Sequence, residues 1–272
     1  MIMFIVTASD SAYFPRVLSL IGSLHKSNYD NISQIYVYDI GLSSSERSNL
    51  DHMQKVTIKQ VEKTHPDILK SVLKHPGSQN PTRVIGNYAW KPVAIKQALD
   101  MHETVFWIDA GVTILRSLEP IFRHTTLTGY FLLGVSEIGL WLNQYPKQIL
   151  QVTKEELETV GINAAMQCLN HKYYNTYVLP AYECSKDMNM FIDDGTAFGG
   201  VLCGRHDQSL FGVFAARNNM TPCGPNITLA TGERIYITDT ASQVDGATMI
   251  YHSRGDARDN ASFIIRKPDE NS

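Results

Sequence analysis

Strand and helix patterns alternate through the first half of the chain, and this alternation limits the folds open to it. The strand patterns are short apolar or alternating runs at residues 3–7, 34–40, 56–61 and 104–108. The helical patterns between them repeat apolar residues at helical spacing over residues 11–26, 44–54, 65–74 and 92–102. Strands that alternate with helices predict an α/β fold with a mostly parallel sheet.

Local signals sharpen some of these boundaries. Ser43 and Glu46 have the spacing of a capping box, which predicts a helix that begins at Ser44. Residues 76–88, which follow the breaker His75-Pro76-Gly77, have the composition of a polar loop. The continuous apolar run 104–108 indicates a strand buried on both faces.

The second half of the chain is less regular. Strands are predicted at residues 130–135, 233–238 and 249–251, and helices at residues 154–160, 164–169 and 206–217. No repeat or linker divides it from the first half, so we expect a single domain over residues 1–272.

Composition excludes several classes of protein. A chain of 272 residues with 43% hydrophobic residues can bury a large core. Its net charge of −3 argues against a nucleic-acid partner, and it has no apolar run of the roughly 20 residues that span a bilayer. The apolar start is too short for a signal peptide, and the four cysteines are widely spaced. We therefore expect a soluble, cytoplasmic protein with free thiols.

The ends of two predicted strands supply the first candidate site residues. In parallel α/β sheets, ligands bind beyond the carboxyl ends of the strands. The residues delivered there are Thr7, Ala8, Ser9 and Asp10 from the first strand, and Asp109, Ala110 and Gly111 from the strand at 104–108. A carboxylate such as Asp109, directly after a buried strand, suits a metal ligand or an anchor for a charged ligand. A helix cap or turn is the alternative for this aspartate.

Absent motifs narrow the reaction classes. No G-x-G-x-x-G follows the first strand, which argues against a dinucleotide-binding site. The chain also lacks the P-loop of nucleotide triphosphatases and the G-x-S-x-G elbow of α/β-hydrolases.

Several segments together resemble the GT-A-fold glycosyltransferases. The most specific is Tyr88-Ala89-Trp90-Lys91-Pro92, followed by a helix and then by the strand end Trp107-Ile108-Asp109-Ala110-Gly111. The segments 206–211 (HDQSLF) and 251–252 (YH) are similar to later elements of the family. The resemblance implies a Rossmann-like fold with a nucleotide-sugar-binding half at residues 1–111, an acceptor-side half at 112–266 and a tail at 267–272.

The resemblance also implies a nucleotide-sugar donor, such as a UDP-sugar, and a divalent metal. The family's D-x-D motif is here Asp109-Ala110-Gly111, so its last carboxylate is missing. Asp109 and His252 are the expected ligands of Mn²⁺ or Mg²⁺, with the donor diphosphate and water completing the shell. Alternatively, Lys91 or Arg254 neutralises the diphosphate without a metal, and Gly111 lets the backbone approach it.

The chemistry of glycosyl transfer suggests further roles. An inverting enzyme needs a base to take the acceptor proton, and Asp207 is the candidate, with a helix N-cap as its alternative. Asp193 and Asp194 are candidate sugar contacts or a solvated turn. Trp90 is a candidate stacking platform for the donor or a core aromatic. For Lys91, His252 and Arg254, the alternatives are an exposed helix start, a structural histidine and a surface arginine.

These assignments predict a hexosyl- or pentosyltransferase that acts on a glycan or glycoprotein acceptor, without nucleic acid or a membrane span. A reducing cytoplasm would suit a bacterial or virus-encoded enzyme of glycan assembly. Two alternatives stay open. One is a carbohydrate- or nucleotide-binding module that has lost catalysis, motivated by the incomplete aspartate motif. The other is a sugar nucleotidyltransferase, although residues 9–12 lack its glycine- and lysine-rich phosphate loop.

Overall fold

The computed structural model describes residues 2–74, 82–200, 204–224, 226–252 and 260–268. Its strands are β1 Met3–Ser9, β2 Ile32–Asp39, β3 Val56–Gln60, β4 Ser71–Lys74, β5 Thr82–Ile85, β6 Thr104–Ile108, β7 Val112–Ile114, β8 Tyr130–Glu137, β9 Val160–Asn170, β10 Asn226–Thr228, β11 Arg234–Thr238 and β12 Thr248–His252. Its α-helices are α1 Phe14–Asn28, α2 Ser44–Asp51, α3 Trp90–Leu99, α4 Glu119–Thr128, α5 Gln144–Ile149, α6 Lys154–Leu157, α7 Leu179–Cys184 and α8 His206–Arg217.

A mostly parallel sheet forms the centre of the fold, as the alternating pattern predicts. In the described residues its strand order is β3-β2-β1-β6-β9-β8. The neighbours from β3 to β6 run parallel, whereas β9 runs antiparallel to both β6 and β8. The carboxyl ends of β1 and β6 therefore lie side by side, and this places the two predicted strand-end segments at one edge of the sheet.

Helices cover both faces of this sheet. Along β6, Val105 and Trp107 pack with apolar residues of α3, α7 and α8, whereas Phe106 and Ile108 pack with those of α1 and α4. Burial on both sides explains why the run 104–108 is continuously apolar. The capping box that begins α2 is also confirmed, because the side chains and backbone amides of Ser43 and Glu46 bond reciprocally.

The predicted helix at residues 164–169 is wrong, because this segment lies within the long strand β9. β9 lies between β6 and β8 and is buried on both faces over most of its length. Such a strand has no polar alternation, so its sequence pattern does not distinguish it from a buried helix.

The predicted helix at residues 65–74 is also wrong. Residues 65–70 form turns, and Ser71–Lys74 is a strand that pairs antiparallel with Thr82–Ile85. The second of these strands lies within the predicted loop at 76–88, and residues 75–81 lie outside the described part. Pairing between the two segments decides the structure here, and the spacing of apolar residues within one segment does not reveal that pairing.

A second sheet and the last described segment complete the fold. The order of the second sheet within the described ranges is β10-β11-β12-β7, which brings the end of β12 close to the end of β6. Residues 260–267 pack against α1 and α2, where the amide of Ile265 donates to Nδ1 of His25 at 2.9 Å. Gly22 of α1 allows this contact, since a Cβ there would lie 1.9 Å from the carbonyl oxygen of Asn260.

Two expectations concern the chain as a whole. Cys168, Cys184 and Cys223 are free thiols, as predicted, and Cys203 lies outside the described residues. A search of the described helices finds none long and apolar enough to cross a bilayer.

We predict that His25 makes stability fall in mild acid. Burial lowers its pKa from 6.5 to about 4. The unfolded chain takes up a proton below pH 6.5 and the folded chain does not until about pH 4, so stability falls as the pH drops through that window. Between pH 7 and 5 this loss should be about 2 kcal/mol. His25→Asn keeps an acceptor for Ile265 but cannot titrate, so urea unfolding at the two pH values should show a correspondingly smaller loss.

The exposed His52 supplies the matched control, and His52→Asn should keep the wild-type pH dependence. Equal losses in wild type and His25→Asn would contradict the assignment.

Candidate functional site

A cleft of about 510 Å³ opens at the carboxyl ends of β1 and β6. It is lined by the ends of these strands, the strand β5, the starts of α1, α3 and α8, and parts of β9 and β12. The residues that line it are Ala8, Ser9, Asp10, Tyr13, Arg16, Ile40, Arg83, Val84, Ile85, Tyr88, Trp90, Lys91, Trp107, Asp109, Ala110, Gly111, Asn163, Ala164, Ala165, Arg205, His206, Asp207, Gln208 and His252.

The end of β1 forms one wall. Ala8 and Ser9 line the cleft, whereas Thr7 is fully buried in the strand and is not among the lining residues. Asp10 follows the strand, and its carboxylate accepts from the amide of Tyr13 at 2.9 Å. This bond fixes the turn that leads from the strand into α1.

A tight turn carries the chain from β5 into α3. Gly86, Asn87 and Tyr88 all have positive φ angles, of 52°, 47° and 67°. A side chain at Gly86 would clash with the backbone of Ile68, whose carbonyl oxygen lies 1.8 Å from the position of a Cβ. The turn places Trp90 and Lys91 at the cleft. The indole of Trp90 donates to the carbonyl of Ile85 at 2.9 Å and is 6% exposed, so this residue is mainly a core aromatic.

Lys91 is the centre of the site. Its side chain is only 4% exposed, and its Nζ lies 3.1 Å from Oδ1 of Asp109 and 2.9 Å from Oδ2 of Asp207. Nζ also donates to the carbonyl of Ala164 in β9 at 3.2 Å. The carbonyl of Ala164 accepts a hydrogen bond from the ammonium group, whereas Oδ2 of Asp207 meets it as an ion pair without hydrogen-bond geometry. Lys91 thus joins β6, β9 and α8 at one point.

Electrostatics keeps this lysine charged despite its burial. Burial alone lowers the pKa of Lys91, but the charges of Asp109 and Asp207 and their hydrogen bonds outweigh it, so the pKa is raised. The alternative role of Lys91, an exposed residue at a helix start, is wrong, since Lys91 is buried.

Asp109 sits directly after β6 and is held from two sides. Its amide donates to the carbonyl of Ala165 at 2.8 Å, and its Oδ1 accepts from the indole of Trp107 at 2.7 Å and also forms the ion pair with Lys91. Its side chain is 35% exposed to the cleft. Ala110 and Gly111 follow it along the cleft wall.

Asp207 approaches from the opposite side, on the first turn of α8. The N-cap of this helix is Arg205, so Asp207 is not the cap that was its alternative role. Its side chain is directed at Lys91 and is 8% exposed. Asp109 and Asp207 thus come from the two halves of the chain and meet at one point. Oδ1 of Asp109 lies 3.1 Å from Nζ of Lys91, and Oδ2 of Asp207 lies 2.9 Å from the same atom.

The described residues do not form a metal site of their own. No group of three or more His, Cys, Asp or Glu side chains in the described ranges could hold a metal ion. Of the two expected ligands, Asp109 has one oxygen committed to Lys91 and Trp107, and Nδ1 of His252 lies 3.4 Å from the amide nitrogen of Asn163. Gly111 has no side chain to contribute. In the described ranges the side chains therefore do not form a complete metal site by themselves, and a metal held by Asp109, His252 and the donor diphosphate stays a prediction.

The remaining predicted residues lie elsewhere. Asp193 and Asp194 do not line the cleft, because their carboxylates organise the loop before α8. Asp193 accepts from the amides of Gly195 and Gly204, and Asp194 accepts from the amide and hydroxyl of Thr196. A contact of these aspartates with sugar stays a prediction. Arg254 lies outside the described residues.

Several lining residues were not predicted. Three arginines, Arg16 on α1, Arg83 on β5 and Arg205 before α8, are the most consequential, since they add positive charge to the cleft. The guanidinium of Arg205 also covers the ring of Trp141 at 4.6 Å. Two of these arginines could have been identified from their closeness to predicted site segments in the sequence. Arg83 lies five residues before Tyr88, and Arg205 directly precedes the segment 206–211.

Comparisons with known proteins identify the fold. No protein-family model matches the sequence, and no curated protein matches it. The structure is similar to galactosyltransferase LgtC, solved in complex with donor and acceptor sugar analogs, with a TM-score of 0.55, 15% identity and coverage of 98% of both chains.

Two further structures support the same assignment. Mouse xyloside xylosyltransferase 1, in its apo form, has a TM-score of 0.54 and 11% identity over 95% of this chain and 99% of its own. Core-mannan synthase A from Aspergillus fumigatus, in an Mn/GDP form, has a TM-score of 0.53 and 9% identity over 78% of this chain and 69% of its own. The chain thus has the GT-A fold found in nucleotide-sugar glycosyltransferases, as the sequence resemblance predicts.

We predict that Gly86→Ala will destabilise the protein by more than about 2 kcal/mol, because it combines a left-handed backbone with the clash against Ile68. Gly232→Ala is the matched control: its φ of 82° is also left-handed, but nothing lies within 4 Å of the added Cβ. It should cost only about 1 kcal/mol, from the left-handed backbone alone. Urea unfolding of both variants measures the difference, and equal costs would show that the Ile68 contact relaxes.

Proposed function

We propose that the protein is a glycosyltransferase that moves a hexose or pentose from a nucleotide-sugar donor to a hydroxyl group of a glycan or glycoprotein. The observation that carries this proposal is the convergence of Asp109 and Asp207 on one ammonium group, at the edge of the sheet where ligands bind in α/β folds. The GT-A fold supports it. LgtC, which has this fold, was solved with donor and acceptor sugar analogs.

In this proposal the two halves of the chain serve the two substrates. Residues 1–111 supply the ends of β1 and β6 and bind the donor. Residues 112–266 supply Asp207 and bind the acceptor. The volume of the cleft falls within the range of small-molecule sites, which extends from about 300 to 1,000 Å³.

The reaction breaks the bond between the anomeric carbon and the diphosphate oxygen. Negative charge then develops on the leaving diphosphate, and catalysis requires cations to stabilise it. Arg16, Arg83 and Arg205 line the cleft and are the proposed source of this charge. Lys91 is not, because its ammonium is buried and already contacts Asp109, Asp207 and the carbonyl of Ala164.

The acceptor hydroxyl forms the new bond to the anomeric carbon and must lose its proton. We assign that proton to the carboxylate of Asp207, which makes the reaction a single displacement with inversion. Lys91 contacts one oxygen of this carboxylate, Oδ2, and the other oxygen is then the one that receives the acceptor proton.

The resemblance to GT-A enzymes implied Mn²⁺ or Mg²⁺, and core-mannan synthase A was solved in an Mn/GDP form. In this chain no group of three or more side chains in the described ranges could hold a metal by itself. No step of the proposed reaction is therefore routed through one.

Nucleotide binding provides the first test. Thermal-shift screening should find a nucleoside diphosphate or nucleotide sugar that stabilises the wild type, and Asp109→Ala should abolish that shift because it removes the carboxylate at the donor end of the cleft. Asp239→Ala, at an exposed aspartate outside the cleft, should leave the shift unchanged. Absence of any shift with the wild type would contradict the proposal.

Loss of the base provides the second test. Asp207→Asn should lower the transfer rate about 10²- to 10⁴-fold while nucleotide binding persists, since the amide cannot take the proton. The anomeric configuration of the product, read by NMR, should be inverted. Net retention would remove Asp207 from this role.

A binding module without catalysis is the second candidate, and the glycine in place of the last aspartate of D-x-D favours it. It predicts that a nucleotide sugar binds and is never consumed. Measured transfer, or slow hydrolysis of the donor, would exclude it.

A further inference from the structure

The position of Lys91 between two carboxylates is chemically that of a bound cation. Asp109 and Asp207 come from different halves of the chain, and their Oδ1 and Oδ2 atoms converge on Nζ at 3.1 and 2.9 Å. Oxygen atoms that converge in this way are the ligands that divalent cations prefer. Here the covalently attached ammonium already fills the space.

Burial makes this arrangement exclusive. The side chains of Lys91 and Asp207 are 4% and 8% exposed, so little room is left for a second cation between them, whereas the side chain of Asp109 is 35% exposed to the cleft. Removal of the ammonium would leave two neighbouring carboxylates without a counter-charge, which is strongly unfavourable. Lys91 is therefore needed to hold the two carboxylates together.

We propose that Lys91 replaces a divalent metal in this cleft: its ammonium holds Asp109 and Asp207 together, and the protein binds nucleoside diphosphate without a divalent cation. The second half of this statement rests on the proposed function, whereas the first half does not. Lys91 is a positioning residue here, since it acts through the two aspartates and does not contact the substrate.

The charge for the diphosphate then comes from the arginines of the cleft. Arg83, exposed on β5, has a hydrogen bond of 3.4 Å from Nη1 to the carbonyl of Ser71 and no ion pair within the described part of the chain. Arg16 and Arg205 line the same cleft. Guanidinium groups bind phosphate oxygens through paired N–H donors, and this binding does not require a metal ion.

Substitution of Lys91 by methionine tests the first half directly, with the metal alone as the probe. Lys91→Met leaves the two carboxylates facing each other, so it should gain a binding site for Mn²⁺ that the wild type lacks. Titration calorimetry or the EPR signal of free Mn²⁺ measures the gain. Millimolar Mn²⁺ should also raise the Tm of this variant by roughly 5 °C and that of the wild type by less than a degree.

Two further variants separate this gain from a general loosening of the protein. Lys91→Met combined with Asp207→Asn has only one of the two carboxylates and should not gain the Mn²⁺ site. Lys91→Arg keeps a cation in the cleft and should bind no Mn²⁺ and retain nucleotide binding. Failure of Lys91→Met to bind Mn²⁺, or equal binding by the wild type, would overturn the proposal.

The second half of the proposal, nucleotide binding without a divalent cation, is tested with the wild-type protein. This test can be made even if Lys91→Met does not fold. The thermal shift given by a panel of nucleoside diphosphates should be the same in EDTA and in Mn²⁺. A shift that appears only with Mn²⁺ overturns the claim of metal-free binding. If no nucleotide gives a shift under either condition, the proposed function fails, and the Mn²⁺ titrations still decide the role of Lys91.

Discussion

A single ammonium group connects the parts of the molecule that face the cleft. Lys91 arrives on α3 and binds Asp109 after β6, the carbonyl of Ala164 in β9 and Asp207 on α8. Loss of a partner from a buried ion pair typically costs 3–5 kcal/mol, so none of these elements can shift without a large energetic penalty. The position of the cleft walls relative to one another is therefore set by charge as much as by apolar packing.

Much of the fold was predictable from the sequence, and the exceptions have physical causes. Helices α2 and α8 and strands β1, β2, β3 and β6 follow from spacing and capping that are local to each segment. The segments at 71–74 and 164–169 do not, because they are strands, and pairing with other segments decides their structure. Strand β9 is buried on both faces, and that burial removes the alternation by which a strand is usually identified.

The candidate site was predictable where it depends on strand ends and less so where it depends on contacts between distant segments. Ala8, Ser9, Asp109 and Gly111 line the cleft because parallel strands end at one edge. The sequence indicated Lys91 and Asp207 individually, but no local pattern reports that a lysine and an aspartate 116 positions apart form a buried ion pair. The three arginines of the cleft lie on three separate elements and share no sequence pattern, so the sequence did not predict that they line one cleft.

The buried ammonium also has a consequence for the order in which the chain assembles. Its partners lie at residues 109, 164 and 207, so Lys91 cannot reach its final surroundings until α8 has been synthesised and has packed onto β9. Until then the lysine must stay hydrated, because burial without both carboxylates would leave its charge uncompensated. Contacts between such distant residues form slowly. We therefore expect completion of the cleft to come late in folding, when α8 docks onto β9 and brings Asp207 to Lys91.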